Sequence, residues 1–131
     1  MKKPIRVLIA KPGLDGHDVG AKLVSRALME AGMEVIYTGL RQSPEAIAKA
    51  VVEEDVDVLG LSILSGAHIP LSRKVAGELK AGKARDIVWI AGGNIPRKDH
   101  EALKAIGVHG IFPTGTAFSA VVDFIREKVK P

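Results

Sequence analysis

The chain has 131 residues, with 19 Lys and Arg against 15 Asp and Glu for a net charge of +4, 47% hydrophobic residues and no cysteine. This is ordinary globular usage, which argues against a disordered or fibrous chain, and the absence of thiols excludes a disulfide scaffold, a thiolate metal site and cysteine catalysis. Basic residues are scattered and aromatics are only 4%, so no nucleic-acid partner is expected.

The first apolar run, Ile5-Arg6-Val7-Leu8-Ile9-Ala10, reads as a buried strand that stops at a Pro and Gly cluster. The apolar run is too short for a signal segment, and no later run reaches membrane-spanning length, so a cytoplasmic protein is expected. Behind the strand, Lys11-Pro12-Gly13-Leu14-Asp15-Gly16-His17-Asp18-Val19-Gly20 gathers glycines with the ionisable residues Lys11, Asp15, His17 and Asp18. A helix is expected from about Gly20 to Ala31, with Leu23, Ala27, Leu28 and Ala31 as its apolar face and Gly32 as its stop.

A second strand, Glu34 to Thr38, precedes a helix opened by Ser43-Pro44, a good N-cap followed by proline at the first helical position, and running to about Glu54. The third strand, Val58 to Ser62, is apolar throughout and so expected to be covered on both faces. Ile63-Leu64-Ser65-Gly66-Ala67-His68-Ile69 reads as an apolar loop in which His68 is solvated, and a helix follows from about Pro70 to Lys80. The fourth strand, Ile87 to Ala91, contains Trp89 and is closed by Gly92-Gly93-Asn94 before a helix from Pro96 to about Ile106. A short fifth strand, Gly110 to Phe112, leads through Pro113-Thr114-Gly115-Thr116 into a last helix from about Ala117 to Val129.

Strict alternation of strand and helix predicts an α/β domain spanning residues 1–131: a doubly wound, flavodoxin-like, five-stranded parallel sheet of order 2-1-3-4-5 with helices on both faces. Such sheets bind ligands beyond the carboxyl ends of their strands, at the switch point between strands 1 and 3. The distinctive residues follow strand 1 (Asp15, His17), strand 3 (Ser62, Leu64), strand 4 (Gly92, Gly93) and strand 5 (Gly115, Thr116). All fall on one edge of that sheet.

Several functions of this fold are excluded by the residues. A receiver domain needs a phosphoacceptor Asp at the end of strand 3, where this chain has Leu61-Ser62. The glycine spacing after strand 1 is too wide for a dinucleotide fingerprint, strand 2 ends in Tyr37-Thr38-Gly39 rather than an acidic residue, and no Gly-Lys-Ser/Thr of a P-loop occurs. The Ser/Thr-rich phosphate cradle of a flavodoxin is also missing. The pair Asp15-x-His17 points elsewhere, because a metal-ligating imidazole usually gives its other ring proton to a carboxylate.

Asp15-x-His17-x-x-Gly20, Ser62-x-Leu64 and Gly92-Gly93 resemble, in order and in spacing, the three-part signature of cobalamin-binding domains, and the resemblance runs from about Ile5 to the last helix. It implies that His17 is the lower axial ligand of cobalt, replacing the cofactor's own dimethylbenzimidazole, whose nucleotide tail enters a slot between the sheet and its flanking helices. Asp15 would accept the other imidazole proton and Lys11 would pair with Asp15. Gly16, Asp18, Val19 and Gly20 complete that cofactor-binding loop. Ser62 would hydrogen-bond the buried base with Leu64 beside it. Gly92, Gly93 and Gly115 would admit the tail close to the backbone, and Thr116, as a helix-opening residue, would contact its ribose or phosphate. On this reading Gly93→Val cripples cobalamin binding while sparing the unliganded fold.

Within that family, the stretch from Lys11 to Lys22 and the run Glu34-Val35-Ile36-Tyr37-Thr38-Gly39-Leu40 look most like the mutases of methylmalonyl-CoA, isobutyryl-CoA and 2-hydroxyisobutyryl-CoA. Those enzymes use adenosylcobalamin for a radical 1,2-shift of an acyl-CoA carbon skeleton on a TIM barrel, which takes about 250 residues and does not fit here. The resemblance therefore implies an isomerase small subunit, inactive alone, that joins a separate barrel-bearing large subunit in a heterotetramer, with the acyl-CoA held by the partner. A stand-alone corrinoid carrier for methyl transfer shares the histidine signature but usually has a helical cap ahead of strand 1, and here strand 1 is expected at residue 5. A cobalamin-dependent sensor would need an appended DNA-binding or signalling element.

Overall fold

A computed structural model describes residues 3–12, 19–39, 42–63 and 66–129. Its elements alternate along the chain: β1 (Arg6–Ala10), α1 (Val19–Glu30), β2 (Glu34–Tyr37), α2 (Pro44–Glu53), β3 (Val58–Ile63), α3 (His68–Ala81), β4 (Val88–Gly93), α4 (His100–Ile106), β5 (Gly110–Pro113) and α5 (Phe118–Lys128). The five strands stand in the order β2-β1-β3-β4-β5, with every neighbouring pair parallel. This is the expected flavodoxin-like, doubly wound sheet.

Side chains alternate across the sheet because a strand has a period of two. Val7, Ile9, Val58 and Ile90 pack with Ala21 and Leu28 of α1 and Val121, Val122 and Ile125 of α5. Leu8, Ala10, Leu59, Leu61, Trp89 and Ala91 pack on the other face with Ile47 and Val51 of α2, Val75 of α3 and Leu103 of α4. Two cores result, and every strand residue from Val7 to Ala10 and Val58 to Leu61 is buried. None of the helices described is long and apolar enough to cross a membrane.

Local chemistry explains the better-formed ends. Ser43 caps α2, its Oγ accepting from the Ala46 amide at 3.0 Å, and Pro44 takes the first helical position, where no N–H is needed. At the amino edge of the sheet, Arg6 pairs with Glu34 and Glu54, and Arg85 pairs with Asp55 and Asp57. Hydrogen bonds from Arg85 to Asp57 and Asp55 hold its guanidinium above the usual arginine range.

Four expectations shift. In α1 the buried face is Ala21, Ser25 and Leu28, with Val24 half-buried, whereas Leu23 is 51% exposed. Helix α3 begins at His68, and this histidine is 4% exposed, not solvated. A 3₁₀ turn, Arg97–Asp99, precedes α4, so the helix proper starts four residues after Pro96. Gly92 and Gly93 lie inside β4, not beyond it, because Ser62 and Ile63 extend β3 beside them.

Candidate functional site

On β3 the residues facing α1 and α5 are Val58, Gly60 and Ser62, and the pleat is therefore missing a side chain in its middle. Above that gap the sheet and the two helices enclose a cleft of about 420 Å³. Ile9, Gly60 and Ile90 line it on the sheet side, Leu23, Val24, Phe118 and Val121 on the helix side, and Gly92, Gly93, Gly115 and Thr116 toward the carboxyl edge. The size is that of a small-molecule pocket, and the lining is mainly apolar with few polar groups.

Each glycine here has its own reason. A Cβ at Gly60 would come within 2.8 Å of Ile9 Cδ1, so a side chain there would stand on the cleft floor. Gly93 has φ +119°, and a Cβ on it would collide with the backbone carbonyl of Ile63 on the neighbouring strand. The expectation that Gly93→Val spares the unliganded fold is thus corrected: β3 itself requires glycine at this position. Gly115 has φ +95°, while a Cβ at Gly20 or Gly115 would meet no atom within 4 Å, so open space lies beside both.

Lys11, at the end of β1, is fully buried. Its Nζ donates to the Ser62 carbonyl at 2.8 Å and to Ser62 Oγ at 3.2 Å, linking the end of β1 to the last residues of β3. A buried ammonium needs such partners to offset the loss of water. The lysine donates to Ser62 Oγ, which leaves the hydroxyl proton of Ser62 available to an acceptor. A surface lysine is therefore not what the strand end presents.

Thr116 also differs from expectation. Its Oγ1 donates to the Pro113 carbonyl at 2.6 Å and its amide to the same oxygen at 3.0 Å, so it closes the turn after β5. Ala117 takes the cap position of α5 and the helix opens at Phe118. Thr116 still lines the cleft, as a turn residue and not as a helix-opening one.

Asp15, Gly16, His17, Asp18 and Leu64 lie outside the described residues; Val19 is the first residue of α1. The structure brings together Lys11 with Ser62, and Gly20, Ser62, Gly92, Gly93, Gly115 and Thr116 around one cleft. Among the described residues no group of three or more His, Cys, Asp or Glu gathers to hold a metal ion. Sequence reasoning missed Gly60, although a lone glycine inside an apolar strand marks close approach by something else. It also missed His68, whose Nε2 lies 2.8 Å from Asp99 Oδ2. Nothing local signalled that contact.

The fold and the glycine-floored cleft define a doubly wound α/β domain with a pocket at the carboxyl edge of the sheet, on the α1 and α5 side of the switch point. The model of the B12-binding domain matches residues 5–122, and the chain belongs to that family. It is 47% identical over 126 residues to the 2-hydroxyisobutanoyl-CoA mutase small subunit of Aquincola tertiaricarbonis, covering 96% of this chain and 93% of that one. It is 40% identical over 123 residues to the pivalyl-CoA mutase small subunit of Xanthobacter autotrophicus, covering 94% and 82%. Among solved structures, a cobalamin-binding protein from Desulfitobacterium hafniense superposes with a TM-score of 0.81 at 25% identity, over 98% of this chain and 60% of that one.

Proposed function

We propose that this chain is the cobalamin-carrying small subunit of an adenosylcobalamin-dependent acyl-CoA mutase of the methylmalonyl-, isobutyryl- or 2-hydroxyisobutyryl-CoA type. The observation that carries the reading is the cleft itself. It is mainly apolar and floored by Gly60, its lining includes the Ser62 that Lys11 holds, and its size suits the base of a corrinoid tail. The group fits the residues present: Cβ-free walls at Gly20 and Gly115 leave room, and Ser62 Oγ, held by Lys11, can donate to a ring nitrogen of the base.

In this role His17 would hold the cobalt, Asp15 would orient its imidazole, and Lys11 would support both from its buried position at the end of β1. Gly16, Asp18, Val19 and Gly20 would complete the cofactor-binding segment around the histidine. Leu64 would accompany the base, Gly92 and Gly93 would form the edge it passes, and Gly115 and Thr116 would flank its ribose and phosphate. When bound, adenosylcobalamin supplies a cobalt-carbon bond whose homolysis starts the 1,2-rearrangement of an acyl-CoA. The protein's own work is to bind the corrinoid, orient it and exclude water from its tail.

The match to small subunits supports a separate large subunit; on this reading that subunit would provide the barrel and the acyl-CoA site, and the pair would form a heterotetramer in the cytoplasm. Two measurements test this. Cobalamin bound to the wild-type chain is expected to give a base-off, histidine-on absorbance spectrum, and His17→Ala to lose it; an unchanged spectrum and affinity in that variant would remove His17 from cobalt. Affinity capture from a native lysate, with and without adenosylcobalamin, is expected to retain a barrel-bearing mutase subunit. A methyltransferase in its place would move the chain to a corrinoid carrier.

A further inference from the structure

Two loops on the carboxyl edge leave the strand ends that carry Ser62, Gly92 and Gly93 of the proposed cofactor site: the one behind β3, leading into α3, and the one behind β4, leading into α4. The sheet joins their near ends, where Ser62 and Ile63 pair with Gly92 and Gly93 and the Asn94 amide donates to the Ile63 carbonyl at 3.1 Å. A side-chain bond joins their far ends. His68, the first residue of α3, places Nε2 2.8 Å from Oδ2 of Asp99, the residue just before α4, across 31 positions of sequence.

Local helix chemistry does not account for this bond. The cap position of α3 is Ala67, which has no side-chain oxygen, and its first turn has no acidic residue. Asp99, by contrast, precedes α4 without capping it, its carboxylate directed to His68 instead. His68 is 4% exposed, and its Nδ1 is buried with no partner among the described residues, as is Ser72 Oγ one turn along the same helix. With a carboxylate on Nε2, that nitrogen carries the proton and the ring leaves half of its hydrogen-bonding capacity unmet. An apolar side chain would fill the same space without stranding a polar atom, so simple packing is a poor reason for a histidine here.

We propose that His68 is a positioning residue of the cofactor site, whose bond to Asp99 clasps the loop behind Ser62 to the loop behind Gly93 and sets their spacing before the ligand arrives. The inference rests on the cobalamin reading above. Without the clasp the start of α3 relaxes relative to the start of α4 in the free protein, and binding must then supply the ordering entropy. The expected loss of affinity is about tenfold, comparable to one hydrogen bond to a charged group.

The test is a double-mutant cycle on the full chain, read by spectrophotometric titration with adenosylcobalamin and, separately, by urea unfolding without it. His68→Ala and Asp99→Ala are each expected to weaken binding about tenfold, and the double variant to be no worse than either alone. Asp99→Asn, whose amide oxygen still accepts from Nε2, is expected to bind nearly as wild type does. The Asp99 side chain is 22% exposed, so its variants are expected to fold even where His68→Ala does not. Coupling that appears in unfolding but not in the cobalamin Kd would reduce the clasp to a structural contact and overturn the proposal. A wild-type chain that binds no cobalamin would overturn the cofactor reading, and the clasp with it.

Discussion

Gly60 offers a sharp test of where the ligand seats, because the residue is missing a side chain in the middle of a buried strand that has no turn to make. In Gly60→Ala the new Cβ would lie 2.8 Å from Ile9 Cδ1 and 3.4 Å from Ile90 Cγ1. The first of these is the free end of a side chain that borders the cleft, and swinging it off its rotamer costs about 0.5–1.5 kcal/mol. Replacing a strand glycine returns roughly 0.5–1 kcal/mol. Gly60→Ala should therefore fold with a stability within about 1 kcal/mol of wild type. Gly60→Val adds bulk that moves with Ile9 into a cleft of about 420 Å³. A ligand that reaches the floor would then be overpacked by about 1–3 kcal/mol, equivalent to a five- to 150-fold rise in Kd at 1.4 kcal/mol per tenfold. Absorbance titration with adenosylcobalamin reads the affinity, and a thermal melt of the same sample reads the fold. A Gly60→Val protein that melts like wild type and binds with unchanged Kd would show that nothing seats on this floor.

Other substitutions separate folding from binding. Gly93→Ala should lose about 3 kcal/mol or more of stability, through a positive φ and a collision with the Ile63 carbonyl, and a wild-type melting curve would refute that. Ser62→Ala leaves Lys11 its 2.8 Å bond to the Ser62 carbonyl, so stability should fall by no more than about 1 kcal/mol while cobalamin binds several-fold more weakly; equal affinity would exclude the hydroxyl from the site. Arg85→Gln should cost about 0.2–1 kcal/mol, less in high salt, since its ion pairs are exposed. The pKa of Arg85 is raised, so its contribution is complete below the ordinary arginine range and is lost only as pH rises beyond it. Urea unfolding of wild type and variant should accordingly differ by the same amount throughout the neutral range.

The periodicity of apolar runs, the Ser43-Pro44 start of α2 and the glycine punctuation were enough to place five strands and five helices in order, and chain order with right-handed crossovers was enough to predict the sheet. The positions of the three motifs then put the site on one edge. These features are legible because each depends on residues close together in the chain. His17 and Asp15 were legible in another sense, through a motif, and the roles proposed for them rest on that motif.

What the sequence could not disclose were contacts between distant positions. Lys11 meets Ser62 across 51 residues and His68 meets Asp99 across 31, because strand order and register bring the ends of β1, β3 and β4 side by side. The demand for glycine at position 93 comes from the Ile63 carbonyl on the next strand, which local pattern does not reveal. Leu23 has the helical spacing of a core residue and is 51% exposed because the sheet opposite it opens into the cleft. The sequence by itself determined the elements, their order and the edge on which the candidate site residues fall, since these follow from local periodicity and chirality. Only the tertiary structure decided which side of the sheet holds the cleft, how deep it is and which distant side chains hold its rim, since these follow from pleat and register between strands far apart in the chain.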